Sequence, residues 1–284
     1  MTILTAGFSG RLRPVIDELL ARGHDVRVTA RDPSAAHARA LATCGAEIVR
    51  ADLDDLAGLR AAMRGADVVL AAGSPHGAGP SGERRHGINV AEAVADAGVG
   101  HLVFSSGAGA EEPTGVPVLD SKYAVERRIR ELGIPHTILA PVYFMDNAFN
   151  PWNAAALAAG RFPLALPQHR ALQQIAIEDL AAVAVTVVEH RHAFAAERIE
   201  LAADAITGAQ AAAALARVAG RDFVFHEVPR DSLPDGMRML FDWLDRVGHD
   251  VDIPALRRRF PEVRWQSFER WAAKRDWTPP RGIW

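Results

Sequence analysis

Ile3-Leu4-Thr5-Ala6-Gly7-Phe8-Ser9-Gly10-Arg11-Leu12-Arg13 decides how the rest of the chain is read. A short apolar run breaks into two glycines three residues apart, and Leu12, Val15, Ile16 and Leu19 follow at helical spacing. Such a strand-to-helix turn suits a dinucleotide pyrophosphate. Gly7 permits the tight turn, Gly10 lets the backbone approach the phosphates, and the helix N-terminus offers free N–H groups. Gly7, Phe8, Ser9, Gly10 and Arg11 are therefore the expected phosphate-binding turn. Arg13 occupies the place of the third glycine of that fingerprint. Pointing outward, it adds a charge-assisted contact to the pyrophosphate; pointing inward, it pushes the helix off the sheet. Two glycines alone are weak evidence, because turns use glycine everywhere, so the context has to decide.

The context is a regular alternation of strand and helix. Val26, Val28 and Ala30 alternate with Arg27 and Thr29 as a second strand, ending at Arg31-Asp32-Pro33. Further strands read at Glu47-Ile48-Val49, followed by Asp52, at Val68–Ala71, at Leu102–Ser105 and at His136–Ala140, with helical patterns between them. Six strands alternating with helices give an α/β fold, a parallel sheet wound on both faces. In this layout ligands bind beyond the carboxyl ends of the strands. Those ends are Gly7, Arg31, Asp52, Ala72-Gly73, Ser105 and Pro141. Arg31 stands where the adenine ribose is expected; it is either a planar fork for a 2′-phosphate or a solvated loop arginine. Asp52 either bonds the adenine amino group or caps the next helix.

Residues 1–150 are thus expected to form a dinucleotide-binding domain. Residues 151–284 read as a smaller, mostly helical region interleaved with the last strands and capping a substrate pocket. Ile175-Ala176-Ile177, Arg198–Leu201 and Phe223-Val224-Phe225 read as its strands, and Thr207-Gly208-Ala209-Gln210 has capping-box spacing. Trp243, Trp265, Trp271 and Trp277 read as core anchors.

Composition narrows the class. Among 284 residues 49% are apolar, ample for a core, and the net charge of −3 points to no nucleic-acid or acidic-membrane partner. The single cysteine, Cys44, excludes an internal disulfide and any CxxC motif. No His or carboxylate cluster has ligand spacing, so no metal is expected. No apolar run approaches the ~18 residues of a membrane span, and the N-terminus lacks the features of a signal peptide. The expectation is a cytoplasmic protein with a small-molecule substrate; nothing in the pattern sets its oligomeric state.

With these pieces in order, the sequence resembles the NmrA-like family of atypical short-chain dehydrogenases/reductases. The resemblance rests on Gly7-Phe8-Ser9-Gly10, Arg31-Asp32-Pro33, Asp52, Ser121-Lys122 followed by Glu126, Thr137–Pro141 with Phe144-Met145 and Asn147, and Ile177–Ala181. It implies a Rossmann fold with a smaller C-terminal region and a preference for NADP(H). Some members of the family are reductases of quinones, enones, dyes or aromatic ethers; others are redox sensors that bind the nucleotide without turnover. The chain departs from the wider pattern at two further places. The tyrosine four residues before the lysine is Val118, so no phenol stands there, and the arginine often found before the proline after strand six is Ala140.

Lys122 and Glu126 lie one helical turn apart and can form a plain surface ion pair. The resemblance implies instead that Lys122 reaches the nicotinamide ribose or the substrate oxygen. There an ammonium orients hydroxyls and stabilises a developing oxyanion, and a desolvated one can give up a proton. Ser105 and Ser106 can hydrogen-bond a substrate oxygen or simply cap a loop. Tyr143, just past strand six, is a candidate proton donor or a packed aromatic. His76, in the loop after strand four, is a second candidate donor or a loop histidine without a role. The expected function is an NADPH-dependent reductase delivering hydride to an electron-poor acceptor of the quinone, enone or imine class. The alternatives are an NADP(H)-binding sensor and a non-redox enzyme on a vestigial nucleotide fold.

Overall fold

A computed structural model describes residues 1–7, 13–73 and 78–277. Phe8, Ser9, Gly10, Arg11 and His76 of the expected site lie outside the described residues. Seven strands form the central sheet: β1 (Thr2–Ala6), β2 (Asp25–Ala30), β3 (Glu47–Arg50), β4 (Val68–Ala72), β5 (His101–Ser105), β6 (His136–Pro141) and, much later in the chain, Glu197–Leu201. Their order across the sheet is Glu197–Leu201, β6, β5, β4, β1, β2, β3. The pairings β1–β2, β1–β4, β2–β3, β4–β5 and β5–β6 are all parallel. At the seventh strand Ala196 N–H donates to His136 at one end, and Val142 N–H donates to Leu201 at the other, which is parallel register again. This is a Rossmann-like α/β sheet whose order reverses between β1 and β4, and such a reversal opens a crevice at the strand ends.

The crossover helices of the first half are α1 (Arg13–Ala21), α2 (Ala36–Thr43), α3 (Leu56–Met63), α4 (Gly79–Ala97) and α5 (Pro117–Leu132). Alternate strand residues Leu4, Ala6, Val69, Ala71, Leu102 and Phe104 join Leu59, Met63, Val90, Val94, Val125 and Ile129 in one core. Ile3, Val68, Leu70 and Val103, facing the other way, are buried as well. Both faces of the sheet are therefore covered, as a parallel sheet requires.

By contact density the chain divides into two units. The first comprises Met1–Pro141 with Leu180–Glu200, and the second Val142–Asp179 with Leu201 onward. The segment that returns to the first unit is most of a helix, α7 (Ile177–Glu189), together with the seventh strand. Its Glu189 carboxylate accepts from Arg22 at 2.7 Å and lies 3.1 Å from His24.

The second unit carries more strand than its alanine-rich sequence predicts. A three-stranded sheet sets β9 (Ala171–Ile175) between β7 (Tyr143–Phe144) and β11 (Asp204–Thr207), with the seventh central strand numbered β10 and a short helix α6 at Ala154–Ala158. A parallel pair joins β8 (Arg161–Leu164) to β12 (Val224–Glu227). The expected strand Ile175–Ile177 is thus shifted: it ends at Ile175, and Ile177 already begins α7. The reason is local, because the Asp146 carboxylate accepts the Ile177 N–H at 3.2 Å and satisfies a helix-start donor there. Thr207 and Gln210 form the expected reciprocal cap of α8 (Gly208–Ala219). Trp243, Trp265, Trp271 and Trp277 are all buried. The last helices are α9 (Asp235–Arg246), α10 (Ile253–Arg259) and α11 (Phe268–Ala272), and Trp277 stacks on Phe149 at 4.8 Å and meets Trp271 of α11 at 5.9 Å.

Candidate active site

The turn after β1 is built on one clash avoided. Gly7 has φ +75°, and a Cβ there would fall inside the Ala72 carbonyl oxygen at the end of β4. Only glycine fits both the dihedral and the space. The backbone at Gly7 and Ala72 consequently meets closely at the carboxyl edge of the sheet, where the strand order reverses.

Arg31 follows β2 and is exposed, with no hydrogen bond or ion pair to another described residue. The turn beyond it is fixed by Asp32, whose carboxylate accepts the Ser34 N–H and hydroxyl at 2.8 and 2.6 Å. Those bonds hold the exposed Asp32 carboxyl below its usual range. Asp52 accepts from the Asp54 N–H at 3.0 Å, closing a turn onto its own backbone. It does not cap α3. Asp55 does so, accepting from Gly58 N–H.

Arg13 is not turned inward against the sheet. Its guanidinium donates to Asp17 at 2.5 Å and to the Cys44 sulfur at 2.8 Å, along the exposed side of α1. An acidic partner one turn ahead competes successfully for the cation.

Lys122 does not make the ion pair with Glu126 that its spacing allows. Its partner is not Glu126, one turn away, but Glu83, thirty-nine positions earlier on α4. Glu83 is 1% exposed and also accepts the Ser121 hydroxyl at 2.7 Å. The geometry comes from the α4–α5 contact. Gly87 faces Val125 so closely that a Cβ would lie 2.6 Å from Val125 Cγ2. One turn earlier on each helix this alignment brings Glu83 against Ser121 and Lys122. The pair stands directly at the strand ends. A Cβ on Gly73, after β4, would lie 2.7 Å from Glu83 Oε1, and one on Gly107, after β5, 3.1 Å from Lys122 Cδ.

Glu126 belongs to a different network. Fully buried, it accepts from Ser106 Oγ at 2.5 Å, from Arg198 at 3.1 Å and from Arg130 at 2.8 Å. Arg198 also donates to the Gly107 carbonyl at 3.0 Å, tying β10 to the turn after β5. Burial lowers the Arg198 pKa while Glu126, Glu200 and Glu111 raise it; the anions win, and it stands above its usual value. Ser106 is thus a structural hydroxyl, whereas Ser105, at the end of β5, is half-buried and shows no hydrogen bond from its hydroxyl to another described residue. Pro141 accepts the Ala108 N–H at 3.0 Å and extends the β5–β6 pairing past the strand ends. Tyr143 sits in the second unit, on β7, with its ring tilted against Phe241 at 6.2 Å. No group of three or more His, Cys, Asp or Glu among the described residues is placed to hold a metal ion. No helix among the described residues is long and apolar enough to cross a membrane.

The NmrA-like family model matches residues 1–249, most of the chain and every element of this site. The chain belongs to the NmrA-like family. A relative within reach of its sequence is a (4-alkanoyl-5-oxo-2,5-dihydrofuran-3-yl)methyl phosphate reductase from Streptomyces griseus, 33% identical over 81% of this chain and 78% of the relative. Among solved structures, an NADPH-dependent quinone oxidoreductase of Escherichia coli in complex with NADPH superposes with a TM-score of 0.81, at 24% identity, covering 96% of this chain and 99% of the other. NmrA itself, a negative transcriptional regulator solved with NADP, superposes at 0.79 with 19% identity, covering 96% and 94%. At those identities the two structures bear on the fold of this NmrA-like protein.

Glu83, the carboxylate that meets Lys122, is a residue of the candidate site that the sequence pattern did not reveal. It sits in Gly-Glu-Arg-Arg-His, which looks like a solvated helix face. The one available signal was Gly82 and Gly87 inside a long helix, since helical glycines mark close approach of a neighbour.

Proposed function

We propose that this NmrA-like protein is an NADPH-dependent reductase that delivers hydride to the electron-poor carbon of an α,β-unsaturated carbonyl compound. The observation that carries the reading is Lys122, an ammonium paired to a buried carboxylate between the ends of β4 and β5. A cation there is suited to a carbonyl oxygen that gains negative charge as hydride arrives. The residues also suit the cofactor. Gly7 leaves bare backbone at the β1 turn, and Arg31 is a fork without another described partner, suited to a 2′-phosphate. Asp52 keeps a second carboxylate oxygen for an adenine amino group, and Pro141, Ala72 and Gly73 bring no polar side chain to the strand ends where the nicotinamide would approach.

NADPH, when bound, supplies the hydride. Lys122 orients the acceptor oxygen, and Ser105 offers it a hydroxyl donor. Val118 places an apolar side chain where a phenol would otherwise act, which favours acceptors that are reduced at carbon and need little help from a strong acid. The Streptomyces relative fits this class, since its name describes a ring alkene conjugated with an oxo group.

The test is a titration of NADPH and NADH followed by nicotinamide fluorescence, then NADPH consumption with enones, quinones and imines. The reading expects tight NADPH binding and fastest consumption with the enones. Binding without consumption would favour a regulatory nucleotide sensor, and no binding a non-redox role.

A further inference from the structure

We infer that Glu83 is the positioning residue for Lys122, and that the pair replaces the missing phenol as the proton-delivery device of the site; this rests on the reductase reading above. Three observations converge on it. First, of the 32 lysines and arginines in the chain only Lys122 and Lys274 are lysines. An arginine at the same place would hold charge but never release a proton, whereas a lysine can do both. Second, the pair is sheltered, with the Lys122 side chain 14% exposed and that of Glu83 1%. A carboxylate so buried is retained at a desolvation cost, and it needs its partners. Third, Glu83 is held on both oxygens, by Lys122 on Oε1 and by Ser121 on Oε2. The ammonium is thus drawn to one point, between the bare backbones of Gly73 and Gly107.

In the reaction hydride forms a C–H bond at the β-carbon, and the electron pair displaced from the alkene comes to rest on the carbonyl oxygen. That oxygen takes one proton from Lys122 Nζ, giving the enol and leaving a neutral amine; the amine takes up the one proton the reaction consumes from solvent, and the enol tautomerises to the saturated carbonyl compound. The oxidised nucleotide leaves as NADP+. An anion beside an ammonium favours the charged form, and the Glu83 carboxylate, held on its other oxygen by Ser121, keeps Nζ at the strand ends.

The experiment compares wild type with Glu83→Gln and Glu83→Asp, reading three quantities. These are NADPH affinity by nicotinamide fluorescence, the pH profile of kcat with an enone acceptor, and titration of Lys122 by NMR of lysine labelled with 15N at Nζ. Only two lysine signals exist, and Lys274→Arg assigns them. Expected for Glu83→Gln are NADPH affinity within about threefold of wild type and a kcat about 100-fold lower. The alkaline limb of the kcat profile and the loss of the Lys122 proton should both move to lower pH. Glu83→Asp, which keeps the charge but retracts it by one methylene, should restore the pH behaviour and part of kcat. An unchanged Lys122 titration in Glu83→Gln overturns the proposal, whatever the activity. So does a kcat loss with no movement of the pH limb, because a merely structural carboxylate would give that. Should wild type oxidise no NADPH with any acceptor, the reductase reading fails, while the NMR titration still decides whether Glu83 governs Lys122. If Glu83→Gln does not fold, Ser121→Ala tests the same arrangement by releasing one carboxylate oxygen, and an unchanged Lys122 titration and pH limb there would also overturn it.

Discussion

The Ser106 hydroxyl donates to the Glu126 carboxylate at 2.5 Å, with the serine 5% exposed and the glutamate not at all. Two cations, Arg198 and Arg130, complete the shell around that carboxylate. This network shapes the turn after β5, since Arg198 also holds the Gly107 carbonyl. Ser106→Ala should lower stability by about 1–3 kcal/mol, the range for a buried acceptor losing a partner. Arg198→Met should cost more, about 3–5 kcal/mol, because it strands a buried charge. Chemical denaturation measures both, and equal small effects would show the network to be dispensable.

Gly7→Ala is expected to damage the site beyond its effect on stability. The left-handed φ alone costs about 1–2 kcal/mol for an L-residue. The added methyl must also displace the Ala72 carbonyl, which is backbone and cannot swing away. NADPH affinity should fall at least about tenfold while the protein stays folded, with melting and nucleotide titration run on the same sample.

Arg31→Ala should weaken NADPH about tenfold or more and leave NADH nearly unaffected. A guanidinium fork pairs with a 2′-phosphate, and NADH has none. The comparison is made by fluorescence titration at fixed salt. Equal losses for the two nucleotides would remove Arg31 from 2′-phosphate recognition.

Acid should destabilise the first unit through His101. The ring is 2% exposed, and burial, then electrostatic repulsion from His136, Arg191 and His192, push its pKa down from 6.5 to about 4. It lies 2.8 Å from Thr137 Oγ1, whose proton goes to the Phe194 carbonyl, so Nε2 carries the hydrogen of a neutral imidazole. The unfolded chain binds the proton first. The stabilising contribution is therefore present above pH 6.5 and is lost as pH falls toward 4, up to roughly 3 kcal/mol. His101→Gln should flatten the melting temperature profile across that window. Parallel profiles for variant and wild type would contradict the assignment.

The alternating strands β1 to β6 and their crossover helices were legible because their apolar residues repeat at the periods of strand and helix. β7, β8 and β11 were not, since strands of two to four residues next to Pro, Gly and Ala carry no period to detect. The seventh strand was visible as Arg198–Leu201, but its place beside β6 was not, because pairing across sixty residues leaves no local trace. The site divides the same way. Gly7, Arg31 and Asp52 are marked by their positions after strands. The Lys122–Glu83 pair depends on how α4 lies against α5, and the Glu126 network on how β10 adds to β6. For Lys122 the partner one turn away, Glu126, was the wrong one, whereas Glu126 does keep a partner one turn away, Arg130. Arg13 shows the reverse, for there the partner one turn ahead, Asp17, is the one the guanidinium meets.

The most direct test of the account uses NADPH deuterated at C4 of the nicotinamide, on one face and then the other, with an enone acceptor and mass analysis of the product. The account predicts a product carrying one deuterium at the β-carbon from only one of the two labelled faces, in step with NADPH loss. NADPH that binds while no enone gains deuterium from either face would contradict it.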